Sequence, residues 1–158
     1  MPAILVVDPE KCTSCRLCEL ACSQHSGGVF RPSRARIRIA IRSEEAFYFP
    51  MICLQCDDAP CMLACSVDAL VRDPTTNAVV LIEERCNECG ICGAACSYGA
   101  IDFVEDKPRK CDLCGGDPEC VRFCAAGALR FETPEHWPEA QRQAYADRLE
   151  NLVEEGKV

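Results

Sequence analysis

Cys12-Thr-Ser-Cys15-Arg-Leu-Cys18-Glu-Leu-Ala-Cys22 decides how this chain is read. Three cysteines two residues apart are followed, after three more residues, by a fourth. The same spacing returns as Cys86-x2-Cys89-x2-Cys92-x3-Cys96. Two further groups vary it, Cys53-x2-Cys56-x4-Cys61-x3-Cys65 and Cys111-x2-Cys114-x5-Cys120-x3-Cys124. Together the four groups use all 16 cysteines of the 158-residue chain. That density lies above the roughly 8–10 % that marks a cysteine framework in a short chain, while Ile, Leu, Val and Phe sit just above the roughly 20 % below which disorder is expected. So thin an apolar core is not expected to hold the chain alone. Something bound to the cysteines shares that work.

The spacing has a physical reason. A C-x2-C-x2-C loop is short enough to wrap three corners of an iron–sulfur cube. The x3 step then starts a helical turn and directs the fourth thiolate away, toward a neighbouring cube, so the motifs work in pairs. Thiolate is soft and suits iron–sulfur units. The competing readings explain less. Structural zinc favours two separated C-x2-C pairs per site rather than a run of three followed by x3. Disulfides need an oxidising compartment. A metal-storage chain has no use for amphipathic strands and aromatic residues. Four groups of four therefore predict four [4Fe-4S] clusters, with all sixteen thiolates as metal ligands.

Other classes fall away. The formal charge of −8 argues against nucleic acid as a partner. The longest apolar runs, Ala3 to Val7 and Ala78 to Ile82, are five residues, so direct membrane insertion is not expected. No secretory or twin-arginine signal is visible, which gives cytoplasmic residence as the expectation. No GxGxxG or GxxxxGK[ST] phosphate loop occurs. His25 and His136 lie outside the cysteine runs and lack triad partners, so both are expected to be ordinary surface or loop residues. No catalytic residues are assigned.

The cysteine groups belong to longer repeats. Three are followed by one phrase: Cys65-Ser-Val-Asp-Ala-Leu70, Cys96-Ser-Tyr-Gly-Ala-Ile101 and Cys124-Ala-Ala-Gly-Ala-Leu129. Two are preceded by a strand ending in an acid, Leu5–Asp8 and Val80–Glu83. Asp73 to Asn77 reads as the turn of a hairpin between 69–72 and 78–82. Each unit is strand, cluster loop, helical turn, strand, and the fold class is α+β. Arg34 to Arg42 alternates basic and apolar residues. Period two places Arg34, Arg36, Arg38 and Arg42 on one face, with 47–52 as the pairing strand. Such a face reads as a docking surface for an acidic partner or as a solvated face that offsets cluster charge, about −2 per oxidised cluster. From Thr133 onward, Pro138, Gly156 and the spacing of Trp137, Ala140, Ala144, Leu149, Leu152 and Val153 predict a C-terminal helix.

The cysteine groups between residues 3 and 132 resemble the four-cluster ferredoxin subunits of multi-subunit redox enzymes. The resemblance implies two ferredoxin-like dicluster units over residues 1–132, one nested within the other, with 133–158 as a helical tail. The outer unit takes motifs 12–22 and 111–124, the inner one motifs 53–65 and 86–96. It implies the ligand sets Cys12, Cys15, Cys18 with Cys124; Cys111, Cys114, Cys120 with Cys22; Cys53, Cys56, Cys61 with Cys96; and Cys86, Cys89, Cys92 with Cys65. Spacing alone leaves side-by-side pairing open. Simple ferredoxins often place Pro after the fourth Cys, where this chain has Ser23, Ser66, Ser97 and Ala125.

Val7-Asp-Pro-Glu-Lys-Cys12-Thr-Ser-Cys15-Arg-Leu-Cys18-Glu19 and Phe30-Arg-Pro-Ser-Arg-Ala-Arg-Ile37 resemble the iron–sulfur subunits of tungsten aldehyde oxidoreductases. That resemblance implies a non-catalytic electron-transfer subunit beside a large tungstopterin catalytic subunit, with a flavin-containing NAD-linked subunit as a further partner. Related subunits serve benzoyl-CoA reductase, carbon monoxide dehydrogenase, formate dehydrogenase and hydrogenase. The alternative from another class is a diffusing polyferredoxin.

Overall fold

β-Branched and aromatic residues gather in short runs between the cysteine groups, and these runs form the strands. In order the elements are β1 (Ile4–Val7), α1 (Leu17–Gly27), β2 (Arg38–Arg42), β3 (Phe47–Met51), α2 (Pro60–Leu63), β4 (Leu70–Arg72), β5 (Val79–Leu81), α3 (Ile91–Ala95), β6 (Ile101–Val104), β7 (Lys107–Lys110), α4 (Glu119–Arg122) and β8 (Leu129–Glu132). This computed structural model describes residues 2–133 and, beyond them, Gln143, Ala146, Asp147 and Glu150, which are helical. The rest of the expected C-terminal helix, and His136, lie outside the described residues. No described helix is long and apolar enough to cross a membrane.

The class is α+β, as the repeats predict. The strands form four separate antiparallel ribbons, β1–β8, β2–β3, β4–β5 and β6–β7. The first strand thus pairs with the last described one, in register from Ile4 opposite Glu132 to Val7 opposite Leu129. The hairpin expected around Asp73 is present as β4–β5. Its turn is built by the Asp73 carboxylate, which accepts from the amides of Thr75 at 3.0 Å and Thr76 at 2.7 Å. An isolated two-stranded ribbon is marginal in water. Here each ribbon leans on one of two small cores. Cys18, Cys22, Ile37, Ile52, Cys120 and Leu129 form one, and Ala59, Cys61, Leu70, Val79 and Ile101 the other. Sulfur fills space that aliphatic side chains fill in an ordinary domain of this length.

The basic segment departs from the sequence reading. The strand begins only at Arg38, because Pro32–Arg34 is a 3-10 turn. Arg34 pairs with Glu105 at 2.9 Å, Arg36 with Asp112 at 2.5 Å, and Arg38 with Asp102. These arginines tie the arm to the β6–β7 hairpin and to the fourth cysteine loop. They do not form one open docking face, because acids that lie far off in sequence come back to meet them. Ala35 and Ile37, at 1 % and 3 % exposed, do point inward as period two requires.

Glu19 on α1 is 1 % exposed and holds the same arm from beneath. Its carboxylate accepts from the Ile39 amide at 2.9 Å and from Arg16 Nε at 2.6 Å. Removing it strands a backbone donor, which costs about 1–3 kcal/mol when the group is buried. Glu19→Ala is therefore expected to lower the guanidinium unfolding midpoint of the holoprotein by that much free energy. An unchanged midpoint would show that the arm does not depend on it.

Candidate metal centres

All four cysteine loops are bent by the same device. The residue before the second cysteine is left-handed in each: Ser14 (φ 57°), Gln55 (φ 49°), Glu88 (φ 58°) and Leu113 (φ 57°). Non-glycine residues avoid this region unless the surroundings over-determine it. The bend turns consecutive thiols to one side. The third cysteine of every motif (Cys18, Cys61, Cys92 and Cys120) is then the second residue of a helix, α1 to α4. The fourth comes one turn later.

Twelve of the thiols line three cavities. Cys12, Cys15, Cys18 and Cys124 line one cavity. Cys22, Cys111, Cys114 and Cys120 line a second, whose wall Cys53 also reaches. Cys53, Cys56, Cys61 and Cys96 line a third, together with Lys110. Around the other four cysteines the arrangement is looser: Cys65 and Cys92 both pack on the second core. Neighbouring sets adjoin: Cys18 packs in the first core with Cys120, Cys53 lines both the second and the third cavity, and Cys92 packs on the second core that holds Cys61. Cys15 and Cys89, in the first and last sets of this line, are exposed, whereas Cys22, Cys53 and Cys120 between them are buried.

The donors fit an iron–sulfur group better than a lone ion. Structural zinc needs four ligand atoms about 2.0–2.3 Å from one point. Among the described residues no three His, Cys, Asp or Glu side chains converge that closely. Instead the thiols ring cavities. The second cavity also carries two polar atoms with no partner in the protein, Ser26 Oγ and Arg36 Nε. Both are donors on residues that line a sulfur-rich space, where cluster sulfur would be an acceptor.

Burial pushes the Cys18 and Cys111 thiols up to about 12, and the Cys120 thiol higher still. A bound metal reverses this, since coordinated thiols are deprotonated outright. Backbone amides already face several sulfurs. Arg36 N lies 3.2 Å from Cys22 Sγ, Ala69 N 3.3 Å from Cys65 Sγ, Glu88 N 3.4 Å from Cys86 Sγ, and Ala100 N 3.4 Å from Cys96 Sγ. Burial opposes the thiolate at Cys65, but the amides of Ala69, Val67 and Leu70 win and hold its pKa below the usual range.

The phrase after the fourth cysteine now has a cause. Its third residue, Asp68, Gly99 or Gly127, is left-handed at φ 48°, 59° and 66°. That turn brings the next amide, Ala69 or Ala100, back onto the cysteine sulfur. The repeated Gly was the legible signal. Gln55 and Lys110 were not foreseen, because nothing in their sequence setting marks them. His25 is exposed and lines none of these three cavities.

The geometry agrees with the comparisons. The 4Fe-4S dicluster domain family matches residues 44–133, and the 4Fe-4S binding domain family matches residues 5–24. The chain is similar to the polyferredoxin-like subunit of aliphatic sulfonate oxidoreductase from Pyrococcus furiosus, 40 % identical over 139 residues, 85 % of this chain and 80 % of the relative. It is similar to formate hydrogenlyase subunit 2 of Escherichia coli, 31 % identical over 170 residues, 83 % of this chain and 82 % of the relative. Its fold resembles a chain in the BamBC active-site complex of benzoyl coenzyme A reductase, with a TM-score of 0.51 at 24 % identity over 99 % of this chain and 92 % of that one. With its sulfur-lined cavities and these relatives, the protein belongs to the family of 4Fe-4S ferredoxin-like electron-transfer subunits.

Proposed function

We propose that this chain conducts single electrons through four [4Fe-4S] clusters inside a multi-subunit oxidoreductase and performs no substrate chemistry of its own. Each cluster, when bound, supplies one-electron redox chemistry whose potential follows charge, hydrogen bonds to sulfur and exposure. The ligand sets are Cys12, Cys15, Cys18, Cys124; Cys22, Cys111, Cys114, Cys120; Cys53, Cys56, Cys61, Cys96; and Cys65, Cys86, Cys89, Cys92. One observation carries the reading: the sets adjoin in turn through Cys18 and Cys120, Cys53, and Cys61 and Cys92, and the two exposed cysteines, Cys15 and Cys89, belong to the first and last of them. Electrons enter and leave at those two ends, and the buried middle keeps them from stray acceptors. The chain's own residues wrap the clusters, exclude water and donate amides to sulfur.

In this reading residues 1–132 form the cluster domain and 133–158 a tail, and the complex is cytoplasmic. The main partner is a large catalytic subunit of the tungstopterin type, on the sequence likeness of residues 7–19 and 30–37. Passage of electrons to a flavin-containing NAD-linked subunit completes the scheme. The relative in Pyrococcus furiosus, named as a subunit of an oxidoreductase, supports the subunit role.

Anaerobic isolation from the native host, followed by analysis for Fe, W, Mo, Ni and Zn, tests this. The expected result is a complex larger than 17.4 kDa with about sixteen iron atoms per copy of this chain and tungsten in the partner. Nickel would replace the tungsten partner. A lone iron-bearing chain would make it a diffusing carrier, and zinc without iron would overturn the cluster assignment.

A further inference from the structure

Lys110 ends β7 and is 5 % exposed. Its Nζ lies 2.7 Å from the Val79 carbonyl, 3.0 Å from Gln55 Oε1, 3.1 Å from the Cys111 carbonyl and 3.3 Å from Cys53 Sγ. The cage is fixed on every side. Gln55 Nε2 donates to the Cys111 carbonyl at 2.9 Å, and Gln55 Oε1 also accepts from the Val79 amide at 2.9 Å. Three ammonium protons meet four acceptors, so the charge has no reason to swing out.

A buried cation needs a compensating anion nearby, because the effective cost of dehydrating it is several kcal/mol. Three of the four partners are neutral oxygens. Cys53 sulfur is the one that bears negative charge once it is a ligand. The donors to Cys22, Cys65, Cys86 and Cys96 are neutral backbone amides, so the donor at Cys53 differs in kind. Reduction adds one further negative charge to whatever Cys53 holds. A fixed cation beside it favours that reduced state.

Position adds to this. Cys53 stands in the wall between the second and third cavities, and the Cys111 carbonyl that Lys110 also grips belongs to the second set. Lys110 therefore occupies the step between the cysteines nearest the chain ends and those in its middle. Resting on the four-cluster reading above, we propose that Lys110 sets the reduction potential of the cluster held by Cys53, Cys56, Cys61 and Cys96, keeping it above the value that four thiolates alone would give. Lys110 is a positioning residue for charge and touches no substrate.

The test is an anaerobic redox titration of the full-length chain in its complex, followed by electron paramagnetic resonance, with iron and labile sulfide counted in each sample. Lys110→Gln keeps a polar group in the cage and removes the charge; Lys110→Arg keeps the charge. Lys110→Gln is expected to lower one midpoint by at least about 59 mV, a tenfold change in the reduced-to-oxidised ratio of a one-electron couple, with the other midpoints and the iron content unchanged. Lys110→Arg is expected to restore most of that shift. Full iron with no midpoint moved, or with all moved equally, would overturn the proposal. Should Lys110→Gln shed a cluster, Gln55→Glu places a carboxylate against the ammonium without emptying the cage. It is expected to lower the same midpoint, and unchanged midpoints there also overturn the proposal. A wild-type chain short of about sixteen iron atoms would fail the four-cluster reading instead.

Discussion

The double variant Cys22→Ala with Cys111→Ala is expected to lose no more iron than either single variant, about four atoms per chain in each case. Two ligands of one cluster act as a unit, so their losses do not add. Cys22→Ala with Cys56→Ala is expected to lose about eight, because those cysteines line different cavities. Side-by-side pairing reverses both results. It would place Cys22 with Cys53, Cys56 and Cys61, making the second pair non-additive and the first additive. Iron and labile sulfide on the three single and double variants, prepared without oxygen, decide between the two schemes. The physical ground is the position of Cys22. It packs with Cys120 in the first core and lines one cavity with Cys111, Cys114 and Cys120.

Stripping the iron by oxidation in the presence of a chelator is expected to unfold the chain rather than leave an empty shell. Metal binding free energy is folding free energy where no preformed site survives without the metal. Both cores are partly sulfur, the ribbons are two-stranded, and the second cavity leaves two polar side-chain atoms without protein partners. Without the clusters the thiols around those cavities lose their packing partners. The far-UV circular dichroism of β-ribbons should collapse, and trypsin should cut at arginines that are half-buried in the holoprotein, Arg36 and Arg72 among them. An iron-free chain that kept protease resistance and a cooperative denaturant transition would show that the apolar core suffices.

Much of this was legible in the cysteine spacing. The motifs located the starts of α1 to α4, because the third thiol must leave the loop as a helix begins, at Cys18, Cys61, Cys92 and Cys120 alike. The hairpin at Asp73 was legible because its turn is local chemistry, one carboxylate capping two amides. What escaped the sequence was what depends on residues far apart. The arginines of the arm looked like a free face because their acidic partners lie far off in sequence, Glu105 71 positions from Arg34 and Asp102 64 from Arg38. Lys110 drew no reading from the sequence, since no local pattern announces that Gln55 and Val79 will close over it.

The pairing of β1 with β8 bears on how the molecule is made. A ribosome releases Ile4–Val7 first and Leu129–Glu132 after all four cysteine groups. On the proposed ligand sets, the cysteines from Cys53 to Cys96 have by then all emerged and can take up their clusters while synthesis continues. Cys12, Cys15 and Cys18 must wait, their neighbour Cys124 still unmade. During that interval a nascent chain carries reactive thiols with no mate. Premature termination between residues 96 and 124 would strike this end of the molecule first.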